Sequence, residues 1–123
     1  MRSVNRVVAA VAVLTTLLGG TGQDLSPRAL ELVVFESRYC GPCRDFRYDT
    51  IKPYFQSDRG SEIPMHVVDY DYLGTAGRAL AQPIATLPTT VVLDRGREVG
   101  RIVGNPTHNA FIKQLDQLVT GSS

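Results

Sequence analysis

The sequence predicts an α/β domain, a four-stranded mixed sheet flanked by helices in the order β-α-β-α-β-β-α. Three observations lead there. Short apolar runs rich in β-branched residues recur at 32–36, 63–70 and 89–94, as buried strands do. Longer stretches with helical spacing separate them. Arg95-Gly96 then joins the third run to a fourth, 98–103, as a tight turn joins a hairpin. Strands separated by helices imply parallel neighbours, and the final pair implies an antiparallel one.

The first strand is Leu32–Glu36, "LVVFE", near-continuously apolar and suited to a central position buried on both faces. Pro42 can open the first helix, where its missing N–H is no loss. That helix is expected to run to about Ser57, to bury Phe46, Ile51, Tyr54 and Phe55, and to kink at Pro53. "IPMHVVDY", Ile63–Tyr70, reads as the second strand, with Met65 and Val67 on one face and His66, Val68 and Tyr70 on the other. A short helix is expected over Thr75–Gln82, ended by Pro83. Thr89–Asp94 is the third strand and Glu98–Val103 the fourth. Pro106 opens the last helix, where Phe111, Leu115 and Leu118 recur at helical spacing with Ile112 and Val119 beside them.

The 123 residues suffice for one domain with one core. Residues 31–123 are read as that domain, 23–30 as a linker, and 1–22 as a separate leader. Arg2 and Arg6 precede an apolar run, "VVAAVAVLTTLL", and a small-residue stretch, Gly19 to Gly22. Basic front, apolar middle and small exit make an export signal. The run falls short of the ~20 residues that span a bilayer comfortably. A cleaved signal is therefore preferred to a retained membrane anchor, and the rest of the chain is expected outside the cytoplasm. Without Arg2 and Arg6, eleven basic side chains face twelve acidic ones. That balance excludes the basic footprint of a nucleic-acid binder.

Only two cysteines are present, Cys40 and Cys43, in "SRYCGPCRDF". A structural crosslink, half of a metal site and a redox pair are the three readings. A disulfide closing so small a loop restricts the unfolded chain little. A zinc site of two CxxC pairs lacks its second pair, and nothing in the pattern brings His66 and His108 together. The redox reading is favoured, with no metal expected. At a strand-to-helix turn, Cys40 meets the unpaired N–H groups and dipole of the helix start, which favour its thiolate. Arg38 and Arg44 add to this, while Glu36 and Asp45 oppose it. Cys43, one turn in, keeps its proton. Cys40 then attacks a substrate disulfide, and Cys43 resolves the mixed disulfide. Pro88, opening a strand, belongs at a strand end or sheet edge, since it cannot donate to the ladder.

"VVFESRYCGPCRDF" resembles the active-site strand, turn and helix of the thioredoxin superfamily, and Cys-Gly-Pro-Cys is the thioredoxins' own choice. "TLPTTVVLD" resembles the segment that carries the family's cis-proline, here Leu87-Pro88, and Gly104 matches a glycine near the substrate groove. The resemblance covers roughly residues 30–120. It implies a thioredoxin-like fold with a short or missing N-terminal strand. Cys40 would be the nucleophile, Cys43 the resolving thiol, and Gly41-Pro42 the active-site turn. Tyr39, Leu87, Pro88, Thr89 and Gly104 would form the substrate groove. Two departures stand out. The family's buried proton-accepting aspartate falls at Val34, leaving Glu36 as the nearby carboxylate. The tryptophan before the first cysteine is Tyr39 here.

An export signal on such a domain is similar to bacterial periplasmic thioredoxins, and the "FES…C" entry and "TLPTTVVLD.G.EVGRI.G" tail most resemble those of sulfur-oxidation clusters. The implied activity is periplasmic reduction of protein disulfides, with no cofactor beyond the Cys40–Cys43 pair. Implied partners are a disulfide-bearing protein and a membrane thiol-electron carrier as reductant. No nucleic acid is expected, membrane contact only through a retained leader, and the protein is expected to be a monomer. Alternatives are a thiol oxidase or isomerase of the same fold, or a non-catalytic binding module.

Overall fold

A computed structural model describes residues 28–121. The expected export signal and linker residues 23–27 lie outside the described residues. The four strands are β1 (Leu30–Glu36), β2 (Met65–Asp69), β3 (Thr89–Asp94) and β4 (Arg97–Val103). They form one sheet in the order β2-β1-β3-β4. β1 runs parallel to β2 and antiparallel to β3, and β3 pairs antiparallel with β4. Leu32 through Phe35 are fully buried, as befits a strand with neighbours on both edges and cover on both faces. Arg95 and Gly96 both have positive φ, 52° and 78°, the geometry of a two-residue hairpin loop matched to strand twist. The register slips between Val92 and Leu93, leaving Val99 as an extra residue in β4.

The first helical run departs from a single kinked helix. It comprises α1 (Gly41–Phe46), a π-helical turn (Arg47–Ile51) and α2 (Lys52–Phe55). The N–H of Lys52 donates to the carbonyl of Arg47, five residues back. Pro53 has no N–H, and its ring would press on the carbonyl four residues before it. The turn ahead of it widens by one residue, so the proline is absorbed as a π-bulge. Phe46, Thr50, Ile51 and Tyr54 are buried, whereas Phe55 is exposed. Phe55 lies one step around the helix from Tyr54, outside the buried stripe.

The chain then forms α3 (Asp58–Glu62), which the pattern had left unassigned. Ser57 caps it, its hydroxyl accepting from the Gly60 N–H at 3.1 Å. The second strand is shorter than 63–70. Ile63 ends α3 and enters the core, and Tyr70 opens α4 (Tyr70–Leu73). Val67 is exposed on this edge strand.

The expected helix over Thr75–Gln82 is not formed. Helix instead occupies the single turn of α4, with the Asp69 carboxylate accepting from the Asp71 N–H. Gly74, Ala76 and Gly77 all take positive φ, which a right-handed helix cannot contain. The rest of the connection to β3 is irregular.

Two apolar layers result. Leu32, Val34, Val92 and Ile102 face the helical run and α5 (His108–Gly121), meeting Phe46, Tyr54, Phe111 and Leu115. Phe111 stacks edge-on against Phe46 and Tyr54, at centroid distances of 5.7 and 5.9 Å. Val33, Phe35, Val91 and Leu93 face the other way, beneath Ile84 and the partly buried Tyr70, Leu80 and Leu87. Irregular chain therefore covers most of that second face. α5 begins after Thr107, whose hydroxyl accepts from the Ala110 N–H, two residues beyond Pro106.

Candidate active site

The buried β1 ends at Glu36, and four residues bring the chain to the start of α1. Ser37 fixes this turn: its carbonyl accepts from the Cys40 N–H at 3.2 Å and its hydroxyl from the Tyr39 N–H at 3.1 Å. The same hydroxyl donates to the Asp71 carboxylate, tying the turn to α4. Arg38 reaches Asp69 at 3.4 Å. These links explain why Ser37 is buried at a chain reversal.

Cys40 caps α1 in extended backbone geometry, and its Sγ accepts from the Cys43 N–H at 3.1 Å. Pro42 stands in the first turn. The Cα atoms of Cys40 and Cys43 are 5.2 Å apart and the sulfurs are bonded as a disulfide, within the span such bonds allow. Cys40 is partly exposed, whereas Cys43 has 0% exposure. Solution reagents and substrates therefore meet Cys40 first.

The strand start of β3 completes the site. The Leu87-Pro88 peptide is cis. The Leu87 carbonyl oxygen lies 3.5 Å from Cys40 Sγ, positioned to accept from the thiol when the pair is reduced. The Pro88 carbonyl accepts from the Gly104 N–H at 2.8 Å, and Gly104 has φ +85°. Thr89 is buried, its hydroxyl donating to the Thr86 carbonyl at 2.7 Å. Cys40, Gly41, Pro42, Cys43, Leu87, Pro88, Thr89 and Gly104 are thus drawn to one end of the sheet. Tyr39 is 85% exposed beside them.

Glu36 is not a solvated strand end. Its side chain is 13% exposed, with Oε1 accepting from Arg47 at 2.9 Å. Arg47 thus offsets a carboxylate that would otherwise oppose a Cys40 thiolate. Val34 packs into the core at the position where the family resemblance places an aspartate. His66 reaches Glu31 at 3.5 Å on the outer edge of the sheet, far in the chain order from His108 at the start of α5. Among the described residues, no three His, Cys, Asp or Glu side chains are grouped to hold a metal ion.

Three features had no signal in the residue pattern. One is the Ser37–Asp71 link. The second is Thr90, a fully buried threonine paired with Val34 across β1 and β3. The third is a clamp on the connection that carries Leu87. Glu98 accepts from the Ala81 N–H and from Arg101, both at 2.6 Å. Arg101 also donates to the carbonyls of Gln82 and Pro83, at 2.8 and 3.1 Å. Such long-range side-chain partners follow no sequence periodicity.

Comparison with solved structures decides the fold. The chain superposes on the reduced periplasmic thioredoxin SoxS of Paracoccus pantotrophus with a TM-score of 0.68 and 26% identity, covering 76% of this chain and 99% of that one. This is the thioredoxin fold. Fasciola hepatica thioredoxin shares it too, at TM-score 0.54 and 24% identity, over 72% of this chain and 79% of that one. Thioredoxin H2-2 of Oryza sativa subsp. japonica is 29% identical over 100 residues, which is 80% of this chain and 69% of that protein. No family model matches the sequence. A bonded cysteine pair at a helix start of the thioredoxin fold, together with this likeness to thioredoxins, supports thiol-disulfide oxidoreductase chemistry.

Proposed function

We propose that the protein is an exported thiol-disulfide reductase, acting on protein disulfides in the periplasm in the manner of a small thioredoxin of a sulfur-oxidation system. The observation that carries the reading is the asymmetry of the pair: Cys40 at the rim under the Leu87 carbonyl, Cys43 sealed beneath it. The periplasmic neighbour, matched over nearly its whole length, and the basic-apolar-small leader at 1–22 support the location.

In the reaction, the Cys40 thiolate attacks a substrate disulfide. A Cys40–substrate bond forms and one substrate sulfur leaves as a thiolate. The Cys43 sulfur, having lost its proton, then attacks Cys40. The internal disulfide forms, the second substrate sulfur leaves, and the two sulfurs released take up two protons. Substrate is reduced by two electrons and the pair is oxidised. The N–H of Cys43 and the turn that Ser37 braces hold Cys40 in place for both steps. Tyr39, adjacent to Cys40 and 85% exposed, gives the rim aromatic surface suited to a polypeptide. An extended segment can bond to the main chain at Leu87–Thr89.

A membrane thiol-electron carrier recharges the pair, and no further cofactor is needed. The protein works as a monomer. The reduction potential of the Cys40–Cys43 pair tests the direction. A value near ~−270 mV is expected, and one near ~−120 mV would make the protein an oxidant instead.

A further inference from the structure

A cleft of about 220 Å³ opens between the first helical run and the loop that leads from β4 to α5. Asp45, Phe46 and Asp49 line it on the helical side, and Asn105 to His108 on the loop side. The Thr50 hydroxyl donates to the Pro106 carbonyl at 2.9 Å, which ties the two sides together. Neither cysteine lines the cleft, but both sides lead to the redox pair. Asp45 is five residues beyond the Cys40 cap of α1, about 7.5 Å along the helix axis. The loop side begins one residue after Gly104, whose N–H donates to the Pro88 carbonyl at 2.8 Å.

The polar groups of the cleft are mostly acceptors. The Asp45 and Asp49 side chains are exposed. Among the described residues, neither carboxylate has an ion-pair or hydrogen-bond partner. Nδ1 of His108 is shut off from solvent and also lacks a partner. A buried polar atom so placed calls for a bound group. With its proton on Nε2, the imidazole presents Nδ1 as an acceptor. The start of α5 opposes this field with roughly half a positive charge. Its Ala110 N–H is already taken by the Thr107 hydroxyl, and two carboxylates outweigh the dipole. Neither Arg44 nor Arg47 lines the cleft, and Arg47 is held by Glu36 at 2.9 Å. The cleft is therefore negative and unfilled by the protein's own cations. A guanidinium suits it, since its fork of donors reaches separate acceptors. Phe46 and Pro106 offer an apolar wall to the methylene stem of such a side chain.

We propose that this cleft is a specificity subsite that takes an arginine side chain of the substrate polypeptide. An extended chain advances about 3.3 Å per residue, so an arginine within about three residues of the attacked cysteine spans the distance from Cys40. The bound guanidinium also offsets Asp45, which otherwise opposes the Cys40 thiolate. The inference deepens the reduction of protein disulfides proposed above and rests on it.

The test mixes the reduced full chain with peptide disulfides, each a homodimer joined through a single cysteine. One series carries arginine two or three residues from the cysteine, on either side. A matched series carries citrulline there, which keeps the shape and removes the charge. Peptide thiol released before a rapid acid quench is measured by chromatography. In the best register, arginine should exceed citrulline in rate by about tenfold, the scale of one hydrogen bond to a charged group. Asp45→Asn combined with Asp49→Asn should bring that ratio close to one. The double variant should still reduce the citrulline peptide at least as fast as the native protein, which shows an intact fold. His108→Phe, which removes Nδ1 and fills the cleft, should lower the ratio by about threefold. Asp58→Asn removes a charge on α3, outside the cleft, and should keep the native ratio. A ratio near one in every register of the native protein overturns the proposal. So does a native ratio in the double variant or in His108→Phe, or a ratio lost equally in Asp58→Asn. Failure of the native protein to release thiol from either series would instead remove the reductase reading itself.

Discussion

Cys40 and Cys43 share a bond but not an environment, and that difference assigns them separate tasks. Cys43→Ser should accumulate mixed disulfides with substrate through Cys40, while Cys40→Ser should trap none. Mass spectrometry of non-reduced complexes reads the outcome, and the reverse pattern would exchange the two roles. Tyr54 shows another effect of burial on a single side chain. Its hydroxyl donates to the Ile63 carbonyl at 2.6 Å, and burial pushes its pKa up to about 12. A phenol whose folded pKa is raised stabilises the fold fully below the unfolded value of about 10 and loses that contribution as pH rises toward 12. Tyr54→Phe should cost about 1 kcal/mol at neutral pH, the net worth of one such bond. It should also flatten the alkaline fall in stability. Urea unfolding of both proteins at neutral pH and above the free-tyrosine pKa checks the two expectations together.

Elements set what their glycines can tolerate. A Cβ on Gly60 in α3 would stand 2.1 Å from the backbone oxygen of Tyr54, so α3 would have to lift from the end of α2. On Gly100 in β4 it would meet the tip of Leu118 at 2.5 Å, a side chain on α5 that can turn aside. Gly60→Ala should therefore destabilise by about 3 kcal/mol, near the upper range for overpacking, and Gly100→Ala by about 1. Equal midpoint shifts in denaturant would contradict that ordering. The same contrast between local and distant causes explains which elements the sequence disclosed. Leu32–Phe35 and Val91–Leu93 are apolar runs because both faces of the central strands are covered. Phe111 and Leu115 repeat because one face of α5 meets the sheet. The helix expected at Thr75–Gln82 does not form because Ala76 and Gly77 take positive φ, and for Ala76 the composition gives little sign. The π-turn followed from Pro53, but its form depended on keeping Thr50, Ile51 and Tyr54 in the core. At the active site, the Cys-Gly-Pro-Cys turn was legible as a local motif, whereas the burial of Thr90 and the Glu36–Arg47 pair arise only from packing.

Over the whole molecule, the two faces of the sheet are stabilised differently. One carries helices locked by aromatic packing. The other is covered by an irregular connection with one turn of helix, and this connection delivers Leu87 to Cys40. Its position depends on polar ties at both ends: Ser37 to Asp71 at the start, and Glu98 with Arg101 near the finish. The hydrogen bond from Arg101 holds the Glu98 carboxyl below its ordinary pKa, with the Ala81 N–H assisting and burial opposing. A depressed folded pKa means that the contribution is present above the ordinary carboxylate range and lost as pH falls through the folded value. Acidification should thus loosen residues 80–87 before it unfolds the sheet. Hydrogen exchange at the Ala81 amide should accelerate on acidification beyond its intrinsic pH dependence, while the β1 amides stay protected. Glu98→Gln should show a loosened connection already at neutral pH, a stability loss of about 2 kcal/mol from the broken charge-assisted bonds, and a weaker acid dependence than the native protein. Native-like protection of Ala81 in that variant would mean that apolar contacts of Leu80 and Ile84 alone seat the connection. In that case the Leu87 carbonyl would keep its place beside Cys40 without the clamp.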